Sequence, residues 1–185
     1  MSSVVISGNT SGTITLDAPA VAGTTTLTLP ATSGTVITTG STFAGTGPAF
    51  SVSSTAYVSA ANTTFTKVTY DTEDYDTNSN FASSRFTPTV AGYYQINATI
   101  SFSGIVAAGK RSLVSIYKNG SRFLDGNQAA QVSGETMYNS VSGIVYLNGS
   151  TDYVEIYGFQ DTGGAQNIGS IASTLKFTGC LVRSA

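Results

Sequence analysis

Tyr93-Tyr94-Gln95-Ile96-Asn97-Ala98-Thr99-Ile100-Ser101-Phe102-Ser103 alternates without a break. Tyr94, Ile96, Ala98, Ile100 and Phe102 fall on one side of an extended chain, and Gln95, Asn97, Thr99 and Ser101 on the other. This is the period-two pattern of an antiparallel strand with one face in a core and one in water. Upstream, Phe50-Ser51-Val52, Ala56-Tyr57-Val58 and Phe65-Thr66-Lys67-Val68-Thr69-Tyr70 read as further strands. Downstream, Leu113-Val114-Ser115-Ile116-Tyr117 runs through Lys118-Asn119-Gly120-Ser121 into Arg122-Phe123-Leu124, and Asn-Gly between two such runs predicts a tight hairpin. Residues 138–147 lead through Asn148-Gly149-Ser150 into residues 153–159, where the same dipeptide predicts a second turn of the same kind. A last strand follows at residues 175–182. Eight or more strands joined by tight turns and a few longer loops define an all-β sandwich or jelly roll.

Composition bounds what such a fold can do. The 185 residues include no His, no Trp and a single Cys. Without His, the usual base that activates a Ser or Cys nucleophile is missing, as is the commonest zinc ligand. Serine-triad hydrolysis and His-bearing zinc sites are excluded, and no residue is assigned a catalytic role. One Cys closes no disulfide within the chain. Cys180 lies in the apolar run Leu175-Lys176-Phe177-Thr178-Gly179-Cys180-Leu181-Val182 and reads as a small packed side chain. Eight basic and ten acidic residues give a net charge of −2, which offers no basic footprint to nucleic acid. No stretch is long and apolar enough to span a membrane or form a secretory leader, so the chain reads as soluble and made in a cytoplasm.

The first quarter of the chain differs from the rest. Residues 1–45 hold no Lys, Arg or Glu, one acid (Asp17) and one aromatic (Phe43). Within them recur Thr13-Ile14-Thr15-Leu16, Thr26-Leu27-Thr28-Leu29 and Gly34-Thr35-Val36-Ile37-Thr38-Thr39, short β-period segments bounded by Gly or Pro. Three such pieces are too few to enclose a core. Ile14, Leu16, Leu27, Leu29, Val36 and Ile37 therefore read as the contact residues of an extended arm that completes its hydrogen bonds against neighbouring chains. The alternative is a flexible linker, but linkers usually lack Ile, Leu and Val at such alternation. Gly40-Ser41-Thr42-Phe43-Ala44-Gly45-Thr46-Gly47-Pro48 is the expected hinge. The chain thus divides into an arm, 1–45, and a head, 46–185. A head of this size buries about two-thirds of its unfolded surface, enough for a core of its own.

One carboxylate cluster stands out, Asp71-Thr72-Glu73-Asp74-Tyr75-Asp76-Thr77-Asn78-Ser79-Asn80. Asp74, Asp76, Asn78 and Asn80 imitate the first half of a calcium loop. The imitation fails where Gly and a bidentate Glu are needed, since Ser79 and Arg85 stand there. A solvated loop is the plainer reading, with Asp74, Asp76 and Asn78 kept as weak calcium candidates and no other cofactor expected. A carboxylate pair for glycoside hydrolysis is not evident, because Asp125, Glu135, Asp152, Glu155 and Asp161 are scattered. Tyr94, Tyr117, Tyr146 and Tyr153 lie on alternating patterns and read as core or inter-subunit packing. Gly163-Gly164-Ala165-Gln166-Asn167-Ile168-Gly169 lacks the lysine and helix of a phosphate loop and reads as a plain loop.

Phe86-Thr87-Pro88-Thr89-Val90-Ala91-Gly92-Tyr93-Tyr94-Gln95-Ile96-Asn97-Ala98 resembles the signature region of complement C1q-like domains, where a Phe, a Pro and a Gly-Tyr step lead into a long strand. Phe65-Thr66-Lys67-Val68-Thr69-Tyr70 resembles the strand before that family's acidic loop, and Ile116-Tyr117-Lys118-Asn119-Gly120 its Lys-Asn-Gly hairpin. Leu147-Asn148-Gly149-Ser150-Thr151-Asp152-Tyr153-Val154 resembles the segment before its penultimate strand, and Ser173-Thr174-Leu175-Lys176-Phe177-Thr178-Gly179-Cys180-Leu181 its closing strand. The resemblance spans residues 49–182 and implies a ten-stranded C1q/TNF-like jelly roll that forms homotrimers and binds ligands on its outer surface. Few charges and many Val, Ile, Phe and Tyr residues also leave apolar area that a threefold interface would cover.

Two features depart from the secreted animal members: there is no collagen-like stalk and no signal peptide. The arm, with Thr-Leu-Thr-Leu-Pro followed by Ser-Gly-Thr-Val-Ile-Thr-Thr-Gly, resembles N-terminal segments of bacteriophage fibre and virion proteins. Together the resemblances imply a non-enzymatic virion protein, assembled in the host cytoplasm. Its arm would attach to the major capsid protein or another virion protein while the trimeric head projects as a capsid decoration, or cement, protein. The alternative is a short tail fibre or fibre tip whose head binds a host-surface glycan or protein.

Overall fold

The alternation of residues 93–103 becomes β9 (Ala91–Ser103), the spine of the head. The structure, a computed structural model, describes residues 3–7, 9–17, 23–24, 26, 47–103, 109–130, 135–169 and 175–185. It divides into two units, Met1–Ser41 and Thr42–Ala185. In the first, β1 (Ser3–Ser7) and β2 (Thr13–Asp17) form an antiparallel hairpin in which Val4 stands opposite Leu16 and Ile6 opposite Ile14. Val4, Val5 and Ile6 are exposed. Leu27, Leu29, Val36 and Ile37, with most of the expected hinge, lie outside the described residues.

The second unit contains β3 (Ala49–Ser53), β4 (Val58–Ala60), β5 (Thr66–Lys67), β6 (Thr72–Asp76), β7 (Phe81–Ala82), β8 (Arg85–Phe86), β9, β10 (Arg111–Lys118), β11 (Ser121–Ala130), β12 (Met137–Asn148), β13 (Val154–Gln160), β14 (Gln166–Ile168) and β15 (Lys176–Ser184). One sheet of six strands runs β11-β10-β13-β8-β7 with β5 also on β13. The other, of seven, runs β4-β14-β9-β15-β3-β6 with β12 also on β9. The chain is all-β, and its two curled sheets make a jelly roll. The described residues hold more strands than the ten implied by the resemblance. Short ladders at β4, β5, β7, β8 and β14, each two or three residues long, account for the excess.

Inward residues of both sheets meet in one core. Tyr94, Ile96, Ile100 and Phe102 of β9 are fully buried, as are Val114 and Ile116 of β10 and Val154 and Ile156 of β13. At one end the aromatics interlock: the Phe50 ring stacks 4.3 Å from Phe86 and meets Phe177 edge-on at 4.8 Å. Arrangements of this kind add to the area term by about 0.5–1.5 kcal/mol per pair. Tyr94 delivers its hydroxyl to the Val90 carbonyl at 2.6 Å, and burial pushes its phenol up to about 12. At the other end a buried polar contact ties the sheets. Ser112 Oγ donates to Asn139 Oδ1 at 2.7 Å, while Asn139 Nδ2 donates to the Ser112 and Asn127 carbonyls.

The two Asn-Gly dipeptides behave differently. Lys118 pairs with Ser121 across Asn119 and Gly120, both at positive φ (52° and 76°), which is the two-residue hairpin expected between β10 and β11. Asn148-Gly149 makes no hairpin, because β12 pairs with β9 in one sheet while β13 pairs with β10 in the other. The loop crosses between sheets instead. Asn148 Oδ1 caps it by accepting the backbone N–H groups of Ser150, Thr151 and Asp152. Gly149 is required twice over: its φ is +72°, and a Cβ there would lie 2.3 Å from the backbone nitrogen of Ala91.

Candidate functional site

Two surfaces of the head present more than ordinary solvated side chains. The first lies on the outer face of the seven-stranded sheet, where β12 alternates buried and exposed over its length. Register sets Tyr93 of β9 opposite Tyr146 of β12, with rings 5.4 Å apart, and Gln95 opposite Ile144. On the other side of β9, a register shift between Leu181 and Arg183 turns Val182 outward beside Tyr93. Tyr93 is 45% exposed, Ile144 57%, Tyr146 42% and Val182 57%, which makes a patch rather than scattered single residues. Tyr93, Ile144, Val182 and Arg183 border a shallow hollow of about 510 Å³. The adjoining polar groups satisfy one another: Gln95 Nε2 donates to Ser142 Oγ (3.0 Å) and Asn97 Oδ1 (3.1 Å), and Ser142 Oγ donates to Asn97 Oδ1 (2.8 Å).

The second surface is the outer face of the six-stranded sheet. Glu155 of β13 is only 2% exposed yet lies between two cations, with Lys67 Nζ at 2.7 Å and Arg85 Nε at 2.9 Å. Burial works to push its carboxyl up, but hydrogen bonds and charge from Lys67 and Arg85 outweigh this and hold it below the usual carboxylate range. Arg85 also lies 3.7 Å over the Tyr153 ring. Next along β13, Tyr157 stacks on Tyr117 of β10 at 3.9 Å. Beyond them Phe65, Phe159, Arg111, Arg122 and Asp125 gather around a cleft of about 240 Å³.

Asp74 accepts hydrogen bonds from Lys176 Nζ and Ser51 Oγ, and these hold its carboxyl below the ordinary value. Asp76 accepts from the amide nitrogens of Phe81 (2.7 Å) and Asn78 (3.4 Å), and Asn78 Oδ1 accepts from Thr77 Oγ1. The acidic stretch is strand β6 with a tight turn after it, and its oxygens serve local turns and cross-strand pairs. Among the described residues no three His, Cys, Asp or Glu side chains gather as a metal ion requires. Ile14 and Leu16 lie on β2. Cys180 is exposed, contrary to the packed side chain expected: Phe177 and Gly179 take the core side of β15, and alternation turns Cys180 outward. Of the four tyrosines read as packing residues, Tyr94 is core, Tyr117 and Tyr153 are half-buried and Tyr146 is exposed.

Neither surface patch was assigned from sequence. The six-stranded face draws on Lys67, Arg85, Arg122 and Glu155, which are far apart in the chain. The one local signal was Tyr153-x-Glu155-x-Tyr157-x-Phe159, an aromatic and acidic row alternating with the core row Val154, Ile156 and Gly158.

Comparison with solved structures places this fold. The globular domain of zebrafish complement 1qA is 20% identical, covers 75% of this chain and 99% of that one, and has a TM-score of 0.57. Murine APRIL, in its pH 5.0 structure, is 9% identical over 74% of this chain and 99% of the other, with a TM-score of 0.55. The vertex protein P5 of PRD1 is 18% identical over 75% and 99%, with a TM-score of 0.51. The head therefore has the C1q/TNF-like jelly-roll fold. No family profile matches the chain, and no curated protein sequence does so.

Proposed function

We propose that the chain is a non-enzymatic structural protein of a bacteriophage particle. In this reading it forms homotrimers that decorate or stabilise the particle surface, with residues 1–45 attaching and the head projecting. The observation that carries the reading is the likeness of the head, over nearly the whole of that protein, to a phage vertex protein. The absence of His from the chain and the engagement of the acidic groups in ion pairs and turns support a role without catalysis. Self-association is assigned to the Tyr93, Ile144, Tyr146 and Val182 face, committed to further copies of this chain. It is uncharged along β9 and β12, and apolar area of this kind gains most from being covered. The arm's partner is the major capsid protein or another virion protein.

A second reading, a short tail fibre or fibre tip binding a host-surface receptor, is favoured by one observation, the polar and aromatic cleft on the six-stranded sheet. Cryo-electron microscopy of the native particle separates the two. Many copies at threefold or quasi-threefold positions of the shell are expected for decoration, and a few copies at the tail would establish the fibre. Absence of the chain from purified particles would end both. Sedimentation of the full chain tests the oligomer: a trimer is expected, and a stable monomer at micromolar concentration would refute it.

A further inference from the structure

The cleft on the six-stranded sheet has fixed polar walls. Arg122 Nε donates to Asp125 Oδ1 at 2.6 Å and its Nη2 donates to Oδ2, while the guanidinium lies 4.6 Å over the Phe65 ring. Arg111 Nε is held by Asp161 at 2.8 Å, with its guanidinium 5.5 Å from the Phe159 ring centre. Ser115, fully buried and directly opposite on the neighbouring strand β10, donates its hydroxyl to Asp125 Oδ1 at 2.7 Å. The two aromatic rings stand 5.0 Å apart. These side chains are positioned before anything binds, which lowers the ordering cost of association.

The hydrogen-bonding capacity left over describes what would fit. Among the described residues nothing engages the Nη1 donors of Arg122 or the two terminal nitrogens of Arg111. Asp125 accepts three hydrogen bonds of the about four that a carboxylate can take. The amide of Gln128, on the cleft wall, makes no side-chain hydrogen bond among the described residues and offers both a donor and an acceptor. Donors and acceptors thus stand side by side next to aromatic carbon. The charges of Arg111 and Arg122 are balanced by Asp161 and Asp125, so a phosphate, sulfate or carboxylate would meet no net positive charge and would bring its own charge up against those two carboxylates. A wholly apolar ligand would strand the arginine and glutamine groups without partners. A polyhydroxylated ring meets every condition, because each hydroxyl both donates and accepts and its C–H face packs on an aromatic ring. At about 240 Å³ the cleft lies below the ~300–1,000 Å³ of drug-sized pockets, which limits it to a single ring.

We propose that this cleft is a binding subsite for one ring of a neutral saccharide. The inference goes beyond the virion reading and depends on neither its location nor its oligomer, since no cleft residue lies on the Tyr93–Tyr146 face. The test is an NMR titration of the full ¹⁵N-labelled chain with the methyl glycosides of glucose, galactose, mannose and N-acetylglucosamine, with glucuronate and inorganic sulfate as anionic probes, to about 50 mM. At least one neutral glycoside is expected to shift the Nε–H signals of Arg111 and Arg122 and the side-chain amide of Gln128. Phe159→Ala and Gln128→Ala should each weaken that binding about tenfold. Gln128 is exposed, so its variant remains informative where Phe159→Ala fails to fold. Three outcomes would overturn the proposal: no neutral glycoside moves these signals, the shifts fall elsewhere on the head, or an anionic probe binds more tightly than every neutral one. Failure of the trimer would appear in sedimentation and leave this titration untouched.

Discussion

The two outer faces of the head are made from similar antiparallel strands and carry opposite chemistry. On the seven-stranded sheet, Gln95, Asn97 and Ser142 satisfy one another and leave Tyr93, Ile144, Tyr146 and Val182 facing water. On the six-stranded sheet, Lys67, Arg85, Arg111 and Arg122 each find a carboxylate within 2.9 Å. Apolar area left in water is stabilised by a partner surface, whereas charges already paired gain little from one and lose hydration if it arrives. The contrast is the physical ground for proposing assembly on the first face and recognition of small polar groups on the second.

Four outcomes would break or sharpen this division. The largest is expected from Ile144→Asp combined with Tyr146→Ser, which should convert the proposed trimer to monomer in sedimentation while the circular dichroism of the head stays unchanged. A trimer that survives both substitutions would move assembly to another surface. Next, Glu155→Gln should cost about 2–3 kcal/mol in denaturant unfolding. That is below the ~3–5 kcal/mol of a fully buried broken pair, because Lys67 and Arg85 are partly exposed and regain water. Its oligomeric state should not change.

Acid provides the third. The carboxyls of Glu155, Asp125 and Asp152 are held below their ordinary values in the folded head. A depressed folded-state value contributes stability above the unfolded value, about 4, and loses it as pH falls through the folded one. Melting temperature should therefore be flat from pH 7 to about pH 5 and fall below about pH 4. The fall should be smaller in Glu155→Gln, and hydrogen exchange should quicken first on the six-stranded sheet. The smallest effect is expected at the hairpin between β7 and β8, where Ser83 and Ser84 both adopt positive φ (52° and 55°). Ser83 is exposed, and Ser83→Gly should raise stability by about 0.5 kcal/mol by removing backbone strain.

What the sequence disclosed follows from how local each signal is. Residues 94–102 announce their strand, because alternation over nine residues has no other low-cost burial. Asn119-Gly120 announces its hairpin, because two consecutive positive φ values suit few residues. The same dipeptide at Asn148-Gly149 misled, since the choice between a hairpin and a crossing is made by the sheet that β13 joins, a matter of distant strands. Cys180 misled for a related reason: in a run with apolar residues on both sides, register alone decides which side chain faces in. The aromatic and arginine cleft was illegible, because Phe65, Arg111, Arg122 and Phe159 meet only after four strands have paired.

The Asn119-Gly120 turn bears on how the head ages. An asparagine followed by glycine is the peptide link most prone to spontaneous deamidation, in which the glycine nitrogen attacks the side-chain amide carbon. Here that amide is anchored at both ends, its nitrogen to Asp152 at 2.7 Å and its oxygen to the Tyr153 N–H at 2.9 Å. The ring-closing attack requires the amide to let go of Asp152 and Tyr153 first. The contacts that position the hairpin therefore also slow its chemical clock, and mass spectrometry of stored protein should find this site intact long after the same tetrapeptide in an unfolded chain has turned to aspartate and isoaspartate.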